Sequence, residues 1–480
     1  MGLGAWLVLF FFVAYLAMAI YQSFKPLPPG LSTATPLRKA DDIVFLADMT
    51  YRKSSGTSQV DQQIFDEVLR IVGQAERLVV LDMFLFNDFA GAADGDGFRL
   101  LSAELTQALI RRKQARPSLT AVVISDPLNT LYGGIELAHF QALREAGVNV
   151  ISTDLTQLRA SNPMWSGFWH LCCRWLGNSN TGGWLPNALG PGKVTLRSYL
   201  SLLNFNANHR KTLVADSGNS WVGLVTSANP HDASSRHGNV ALRFAGPVAL
   251  DLLGTERAVA AMSSADIAFP QPDAMPGMVA VANGKPARLQ VLTEARIRDA
   301  LLAAVNGSKA GDRLDIAIFY FSHRSLVEAL IEAHHRGVAI RVLLDPNKDA
   351  FGLEKNGIPN RQVAHELHQV GIPVRWCVTQ GEQCHSKLLL RMPADGESEL
   401  ILGSANFTRR NLDDLNLETS VRLLAERQTP AIQDAMAFFE RRWNNVGESQ
   451  ASVDYSVFAD DSRWRYWQYR LMEASGLSTF

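Results

Sequence analysis

The chain has 480 residues, in which 46 lysines and arginines balance 47 aspartates and glutamates. A chain of this length exceeds the usual size of one hydrophobic core, so we expect two domains or two halves of one larger body. The balanced charge excludes a global positive field of the kind that holds nucleic acid nonspecifically. An anionic substrate must therefore be bound by a local site.

The four cysteines are too few and too irregularly spaced for a disulfide framework or a paired zinc site. Buried or free thiols are the simplest interpretation. Cys377 and Cys384 flank a short turn that contains glycine, and they could be bridged if that region faced an oxidising compartment.

The amino terminus is an uncharged apolar stretch. Residues 3–21 are long enough to cross a bilayer, and no Lys or Arg precedes them, which favours an uncleaved anchor at residues 1–24 over a cleaved signal peptide. Basic residues follow the stretch, which predicts a single-pass protein of the cell inner membrane with its body in the cytoplasm. Several prolines make residues 25–40 an extended linker.

An internal repeat organises most of the remaining chain. Residues 41–262 and 287–447 carry the same order of elements: a buried strand, an amphipathic helix, a second strand that ends in Asp-Pro, then a further helix and strand. The paired strands span residues 78–86 and 121–129 in the first half and residues 314–321 and 340–347 in the second. This alternation predicts an α/β fold in which each half is an α/β/α sandwich.

Two segments fall outside the repeat. The first half carries an insertion at about residues 153–204 with four tryptophans among Gly, Asn and Pro. It is either a surface loop with its own aromatic cluster or a lid or membrane-contacting lip, because Trp favours the lipid interface. The tail, residues 448–480, interleaves aromatic residues with Arg. Two interpretations of the tail stay open: an interfacial amphipathic helix, or a helix packed on the body.

Each half ends in the same constellation of polar residues. The first copy contains Asn208-His209-Arg210-Lys211, then Asp216, Thr226-Ser227-Ala228-Asn229 and Asn239, and the second contains Cys384-His385-Ser386-Lys387, then Gly403-Ser404-Ala405-Asn406, Asn416 and Glu418. A His and a Lys two residues apart on a strand project from the same face, so that imidazole and ammonium can converge on one phosphate. The repetition predicts one site shared by both halves.

This pattern resembles the phospholipase D superfamily, whose signature is His-x-Lys, four residues, Asp, and a later Gly-Ser-x-Asn with a downstream Asn-x-Glu. Within that superfamily the chain is similar to the bacterial cardiolipin synthases, which also tend to have Asn-His-Arg-Lys in the first copy and membrane segments at the amino terminus. The resemblance implies two repeated halves that form one catalytic body with pseudo-twofold symmetry.

The chain departs from this signature at three positions. Thr226 replaces the Gly of the first copy, and Met392 stands in the second copy where Asp216 stands in the first. Aligning the two copies puts Ala241 where the downstream Glu is expected, with Asp232 as a candidate substitute. Asp216 is often a structural residue in such motifs, so the loss of its counterpart need not abolish activity.

The motifs predict phosphodiester transfer. Two Lys and two Asn would neutralise and position the phosphate, while one neutral imidazole attacks phosphorus and the other protonates the leaving alcohol. By resemblance, His209 is the nucleophile and His385 the acid and base, in a scheme that requires no metal or other cofactor. The predicted catalytic residues are His209, Lys211, Asn229, His385, Lys387 and Asn406, and the predicted supporting residues are Asp216, Ser227, Asn239, Ser404, Asn416 and Glu418.

We therefore expect a membrane-anchored phosphodiesterase or phosphatidyltransferase of the cardiolipin synthase type. Its partners would be the bilayer, a phospholipid substrate, and an acceptor that is either water or a glycerol-type headgroup; no obligate protein partner is inferred. A nuclease of the same superfamily is the first alternative, which the near-neutral charge disfavours. The second is an inactive scaffold that binds phospholipid, which the intact His and Lys of both copies disfavour.

Overall fold

The computed structural model describes residues 2–53, 58–89, 97–187, 189–265, 267, 269, 286–350, 353–447 and 449–478. The helices are α1 (Leu3–Phe24), α2 (Ile64–Gln74), α3 (Leu101–Ala115), α4 (Ala138–Glu145), α5 (Pro163–Phe168), α6 (Leu196–Leu202), α7 (Pro247–Met262), α8 (Ala295–Asn306), α9 (Arg324–His335), α10 (Asn360–Gln369), α11 (Arg409–Leu412), α12 (Pro430–Trp443) and α13 (Arg463–Ser475). The strands are β1 (Arg38–Lys39), β2 (Asp41–Lys53), β3 (Ser58–Asp61), β4 (Leu78–Met83), β5 (Thr120–Ser125), β6 (Asn149–Ser152), β7 (Leu185–Pro186), β8 (Lys193–Val194), β9 (Lys211–Ser217), β10 (Ser220–Thr226), β11 (Asn239–Ala245), β12 (Arg288–Thr293), β13 (Arg313–Ile318), β14 (Ala339–Leu344), β15 (Asp349–Ala350), β16 (Leu353–Glu354), β17 (Val374–Cys377), β18 (Lys387–Met392), β19 (Ser398–Gly403), β20 (Thr419–Ala425), β21 (Ser449–Gln450) and β22 (Ser452–Asp454).

Two large mixed sheets organise these elements, one in each half. The first sheet has the order β21-β2-β11-β10-β9-β4-β5-β6, with β3 on β2, and the second has the order β1-β12-β20-β19-β18-β13-β14-β17-β22. In both, the strand that begins at the motif lysine lies antiparallel to a central strand of the half: β9 on β4, and β18 on β13. The strands that follow in the chain, β5 and β14, run parallel to β4 and β13. The predicted α/β class and the internal repeat are confirmed.

The two halves share one core. Along β4, Val79 and Leu81 face the cluster formed with α2, α3 and α4, whereas Leu78 and Val80 face the cluster that contains the second sheet. This alternation follows from the pleat of a strand, whose successive side chains point to opposite faces. The second cluster also holds apolar residues of α7 and α12, so burial of apolar surface joins the halves.

Both ends of the repeat are bound into this body. Residues of the predicted linker form β1, which pairs with β12 of the second half. In the tail, β21 pairs with β2 of the first half and β22 with β17 of the second. The helix α13 buries Tyr469 in the core of the second half. The linker and the tail therefore both pack on the body.

The helix α1 has 22 residues and is long and apolar enough to cross a membrane. Its carboxyl-terminal part packs on the insertion of the first half, which contains α5, α6 and the β7–β8 hairpin. The Tyr15 hydroxyl donates to the Met164 carbonyl at 3.0 Å. The Ala160 amide donates to the Gln22 carbonyl at 2.8 Å. The helix is thus held directly against the body.

Candidate active site

The two His-x-Lys motifs form matching local structures. Lys211 begins β9 and Lys387 begins β18, and the Nζ of each donates to the carbonyl of its own motif histidine at 2.7 Å. Both lysines are fully buried, and His209 and His385 are nearly so. Each motif therefore presents an imidazole and an ammonium group from one end of a central strand.

An aromatic ring packs against each pair. The Phe84 centroid lies 4.7 Å from that of His209 and 4.9 Å from the Lys211 ammonium. Phe319 occupies the same place in the second half, with its centroid 5.0 Å from that of the His385 ring. These contacts exclude water on one side of each pair and supply a π face to each buried cation.

The repeated Asp-Pro positions brace the motifs from behind. Asp126 accepts a hydrogen bond from the Asn208 amide at 2.6 Å, and Asp345 accepts one from the Cys384 amide at 2.8 Å. The asparagine that follows each Asp-Pro donates to the carbonyl of the phenylalanine beside the motif. The Asp-Pro repeat was visible in the sequence. In the structure, its aspartates and asparagines hold the backbone immediately before each histidine.

The histidine partners are exchanged between the halves. His209 Nδ1 donates to Glu418 at 2.9 Å, and His385 Nδ1 donates to Asn239 at 3.0 Å. Backbone bridges join the residue before each histidine to the residue before its partner. With Nδ1 occupied, Nε2 of each ring is the nitrogen left for chemistry. Each half therefore completes the site of the other.

Asn239, rather than Ala241, is the counterpart of Glu418. The Ser227 hydroxyl donates to Asn239 Oδ1 at 2.9 Å, just as the Ser404 hydroxyl donates to Glu418. The alignment that put Ala241 opposite Glu418 was wrong by two residues, because the chain between the serine and the histidine partner is shorter in the first half. Asn239 thus stands where the other half has a carboxylate.

Asp232 is not the substitute for a missing carboxylate. Its Oδ1 accepts hydrogen bonds from the Ser102 amide at 2.9 Å and from the Ser102 hydroxyl at 2.8 Å. These bonds stabilise the start of α3, so the Asp232 carboxylate has a structural role.

Asn416 and His237 are the true counterparts of one another. The Asn416 side chain accepts from the Ala207 amide at 3.0 Å, and His237 Nδ1 accepts from the Gln383 amide at 3.2 Å. The His237 ring centroid also lies 5.9 Å from that of His385. Asn416 therefore supports the backbone before His209. His237 was missed in the sequence, because the segment between the serine and the histidine partner is two residues shorter in the first half and residue counts therefore place Asn239 opposite Asn416.

The other predicted residues divide between the site and the fold. Asn229 accepts from the Leu85 amide at 3.3 Å, beside Phe84. Within the described residues the buried Asn406 Oδ1 has no hydrogen-bond partner, so that amide oxygen is not committed to holding the backbone. Asp216 lies at the other end of β9 from Lys211, where its Oδ1 accepts from the Arg77 and Leu78 amides at 2.8 Å. Asp216 is a structural residue.

Burial lowers the pKa values of the histidines and lysines of the site. It lowers the pKa of His209 to about 4, against the opposing effect of Glu418, and it lowers the pKa of Lys211 to about 7. Burial, followed by the charge of the neighbouring lysine, also lowers the pKa of both His385 and Lys387 well below its usual range. A bound phosphodiester anion would raise all four pKa values, so the site is suited to an anion.

A buried ion cluster lies behind the first motif. Arg210 Nη2 donates to Glu294 of the second half at 2.7 Å, and Nη1 lies 3.5 Å from Glu256 of the first half. Glu294 Oε1 also accepts from the Glu418 amide at 3.1 Å. The middle residue of the first His-x-Lys motif therefore ties the halves together and supports the strand that carries Glu418.

A disulfide lies beside the second motif. Of the two states that the sequence left open for Cys377 and Cys384, the structure has the bridged one. Cys384 directly precedes His385, and the equivalent Asn208 of the first half donates instead to the buried Asp82 carboxylate at 2.7 Å. No group of three or more His, Cys, Asp or Glu in the described part of the chain is arranged to hold a metal ion.

Comparisons with known proteins agree with this architecture. Residues 301–443 match the family described as the phospholipase D-like domain of cardiolipin synthase. The fold is similar to that of the phosphatidylserine synthase of Haemophilus influenzae Rd KW20, with a TM-score of 0.56 and 10% identity over 97% of this chain and 98% of that one. Nuc, a phospholipase D family member from Salmonella typhimurium, aligns over 34% of this chain and 97% of its own, with 20% identity and a TM-score of 0.27. No curated protein matches the chain in sequence.

Proposed function

We propose that the chain belongs to the phospholipase D superfamily, whose family model matches residues 301–443, and that it is a membrane-anchored phosphodiesterase or phosphatidyltransferase that acts on phospholipid through a phosphohistidine. The observation that carries the proposal is the exchange of histidine partners between the halves. Within the described residues it holds Nδ1 of both His209 and His385 and leaves Nε2 of each available. Two oriented imidazoles in one anion-binding site are what a double displacement at phosphorus requires.

His209 is proposed to be the nucleophile. Attack by Nε2 on phosphorus forms a P–N bond, breaks the P–O bond to the leaving alcohol, and leaves positive charge on the imidazole. The Glu418 carboxylate accepts from Nδ1 of this ring and stabilises that charge. Asn239 offers His385 only a neutral amide oxygen, so the carboxylate favours His209 for the step that makes the ring cationic.

His385 is proposed to move the protons. In its protonated form, which the bound anion favours, it gives a proton to the leaving alcohol and becomes neutral. It then takes a proton from the incoming water or alcohol, whose oxygen attacks phosphorus and breaks the P–N bond to His209. Water would give phosphatidate, and a glycerol-type headgroup would give a transferred phosphatidyl group.

The ammonium groups of Lys211 and Lys387 are proposed to stabilise the charge on the phosphate oxygens. They are buried beside both histidines, and the charge of each lowers the pKa of the histidine of the other half. A preorganised cation in a water-poor site stabilises developing charge far more than it would in water. Asn229 and Asn406 are proposed to add amide hydrogen bonds to the phosphate.

Incubation of purified protein with labelled phosphatidylglycerol and, separately, with single-stranded DNA tests the substrate class. We expect release or transfer of the phosphatidyl group and no cleavage of DNA. Cleavage of DNA alone would establish the nuclease instead, and lipid binding without turnover would establish the inactive scaffold. Product analysis with and without added glycerol identifies the acceptor.

Mapping of acid-quenched intermediates tests the roles of the histidines. With a substrate that carries a good leaving group, His385→Ala should still form the phosphoenzyme but release it slowly, because protonation of the leaving group is then dispensable. His209→Ala should form none. A phosphoryl group mapped to His385 in the native protein would reverse the roles.

Membrane anchoring by α1 and a cytoplasmic body are also proposed. Lys25, Arg38 and Lys39 follow the span, and such basic residues favour the cytoplasmic side. The bridge between Cys377 and Cys384 favours an oxidising compartment, which is the opposite side. A reporter fused to the carboxyl terminus decides between them: a signal from a reporter that works only in the periplasm would overturn the cytoplasmic assignment.

The division of the chain is likewise proposed. Residues 1–24 are the anchor, residues 25–40 the linker, residues 41–262 the first half with its insertion, residues 287–447 the second half, and residues 448–480 the tail. Because the halves share a core and exchange histidine partners, we expect limited proteolysis between them to leave the fragments associated. Separation of the nicked halves without denaturant would contradict this.

A further inference from the structure

Apolar side chains are exposed on α5 and α13, close to the carboxyl-terminal end of α1. On α13, Trp467 is 65% exposed and Leu471 is 69% exposed, although Tyr469 between them is fully buried. On α5, Met164 and Phe168 are also exposed. Exposed apolar patches rimmed by polar residues mark sites of interaction with proteins or membranes.

The two helices meet at their ends. Gly476, which ends α13 in a left-handed conformation, lies so close to the Ser161 carbonyl that any side chain there would collide with it. Ser161 lies two residues before α5 and also accepts from Arg410 at 2.9 Å. The exposed residues of the two helices therefore belong to neighbouring elements, and we call this set the interfacial surface: Met164, Phe168, Trp464, Trp467, Leu471 and Leu477.

The contacts between α1 and α5 determine how deep α5 would lie in the bilayer. A side chain at Gly167 would bring its Cβ within 2.8 Å of the Ala19 Cβ, so the two helices touch there. Ala19 and Tyr15, the α1 residues that contact α5, lie five and nine residues before Phe24, which at about 1.5 Å per residue is roughly 8 and 14 Å from the end of the helix. If α1 crosses a hydrocarbon core of about 30 Å, α5 lies beside the acyl chains of one leaflet.

We infer that the interfacial surface lies in the bilayer beside α1, so that the protein binds lipid through its body as well as through its anchor. The inference rests on the proposed membrane span of α1. Trp favours the membrane–water interface that borders these acyl chains, and Arg463 and Arg470 on α13 would face anionic headgroups there. The segment before α5 is joined to the first motif: Asn206, three residues before His209, donates to the carbonyl of Arg159, four residues before α5, at 2.7 Å. A phospholipid would then reach the site from the bilayer.

The test is a measurement of depth in the full chain, with the free Cys172 and Cys173 replaced by Ser. A fluorescent label is attached in turn at Phe168→Cys and Trp467→Cys, at Phe11→Cys in α1, and at Asn219→Cys in the β9–β10 turn, at the end of β9 away from Lys211. Proteoliposomes of phosphatidylglycerol and phosphatidylcholine carry a nitroxide quencher on the acyl chains. We expect strong quenching at positions 11, 168 and 467 and none at position 219.

Each other outcome has a defined meaning. Quenching at position 11 alone would keep the anchor and overturn the interfacial surface. Blue-shifted emission without quenching at positions 168 and 467 would mean that protein, such as a second copy of the chain, covers the surface, and would overturn the inference as well. The absence of quenching at position 11 would overturn the membrane span itself. Phosphodiester transfer in detergent is measured in parallel, so that failure of the surface and failure of the enzyme activity are distinguished.

Discussion

Glu418 of the second half accepts a hydrogen bond from Nδ1 of His209 of the first half, at 2.9 Å, whereas Asn239 is the equivalent partner of His385. The two histidines therefore share a geometry but differ in the charge behind them. Most of the predictions below depend on this difference or on the contacts that hold it in place.

Glu418→Gln should lower kcat/KM by about 100-fold, because the neutral amide no longer stabilises the cationic ring of His209. Asn239→Asp is the matched control, since it adds a carboxylate to the other histidine. We expect that variant to keep activity within about tenfold of the native level. Steady-state kinetics on detergent-dispersed phospholipid measure both. A larger loss in Asn239→Asp than in Glu418→Gln would reverse the proposed roles of the histidines.

The dependence of kcat/KM on pH should have two limbs. Attack needs neutral His209, whose pKa is lowered to about 4, so activity falls as the pH drops through about 4. Phosphate binding needs protonated Lys211, whose pKa is lowered to about 7, and departure of the alcohol needs protonated His385, whose pKa is lowered well below its usual range, so activity falls again as the pH rises, at or below about 7. Glu418 raises the pKa of His209, so Glu418→Gln should move the acid limb to lower pH. An acid limb that stays in place in this variant would contradict the electrostatic role of Glu418.

Reduction of the bridge between Cys377 and Cys384 should lower activity by about tenfold, because it releases a constraint on the residue before His385 and small misplacements of catalytic groups are costly. The double variant Cys377→Ser, Cys384→Ser should have the lowered activity and should no longer respond to a dithiol reductant. Replacing Cys172 and Cys173 should leave the response intact. Full activity of the reduced protein would mean that Asp345 alone positions the Cys384 backbone.

Arg210→Met should destabilise the protein by about 3–5 kcal/mol, because it leaves the Glu256 and Glu294 carboxylates buried without their cation. Arg116→Met removes an exposed ion pair with Glu76 and should change the stability by at most about 1 kcal/mol. Denaturant titrations in detergent, followed by tryptophan fluorescence, measure both variants. Equal stability of the two variants would show that the carboxyl groups of Glu256 and Glu294 are uncharged in the folded protein.

Activity should survive EDTA. The proposed nucleophile is a side chain, and Lys211 and Lys387 meet the charge of the phosphate. Assays after dialysis against the chelator, with and without added divalent ions, measure this. Loss of activity on chelation and its recovery with a divalent ion would contradict the mechanism.

The sequence predicted the elements of the site better than their pairing. His209, Lys211, His385 and Lys387 were identified because local spacing on a strand determines which side chains share a face. The partner of His209 lies 209 residues away, and only the packing of the two halves brings Glu418 to it. The misalignment at Ala241 has a related cause, since turn lengths differ between the halves while hydrogen bonds, not residue counts, define equivalent positions.

For the fold as for the site, the sequence predicted the local elements better than the contacts between distant segments. Periodicity located the central strands and helices of both halves, but not the pairing of the linker strand β1 with β12 or the contact between α1 and α5. Short extended segments carry little periodicity, and the position of an apolar helix beside a loop is set by tertiary contacts alone.

The unequal partners of the two histidines also bear on the orientation in which a substrate would react. A strictly twofold site could bind an asymmetric phosphodiester in either of two orientations, and both would react. In the proposed mechanism, with a carboxylate behind His209 and an amide behind His385, the productive orientation is the one with the departing alcohol beside His385. Glu418 and Asn239, which hold the two histidines, would then determine which of the two ester bonds breaks. The proposed mechanism therefore predicts that regioselectivity is a consequence of broken symmetry.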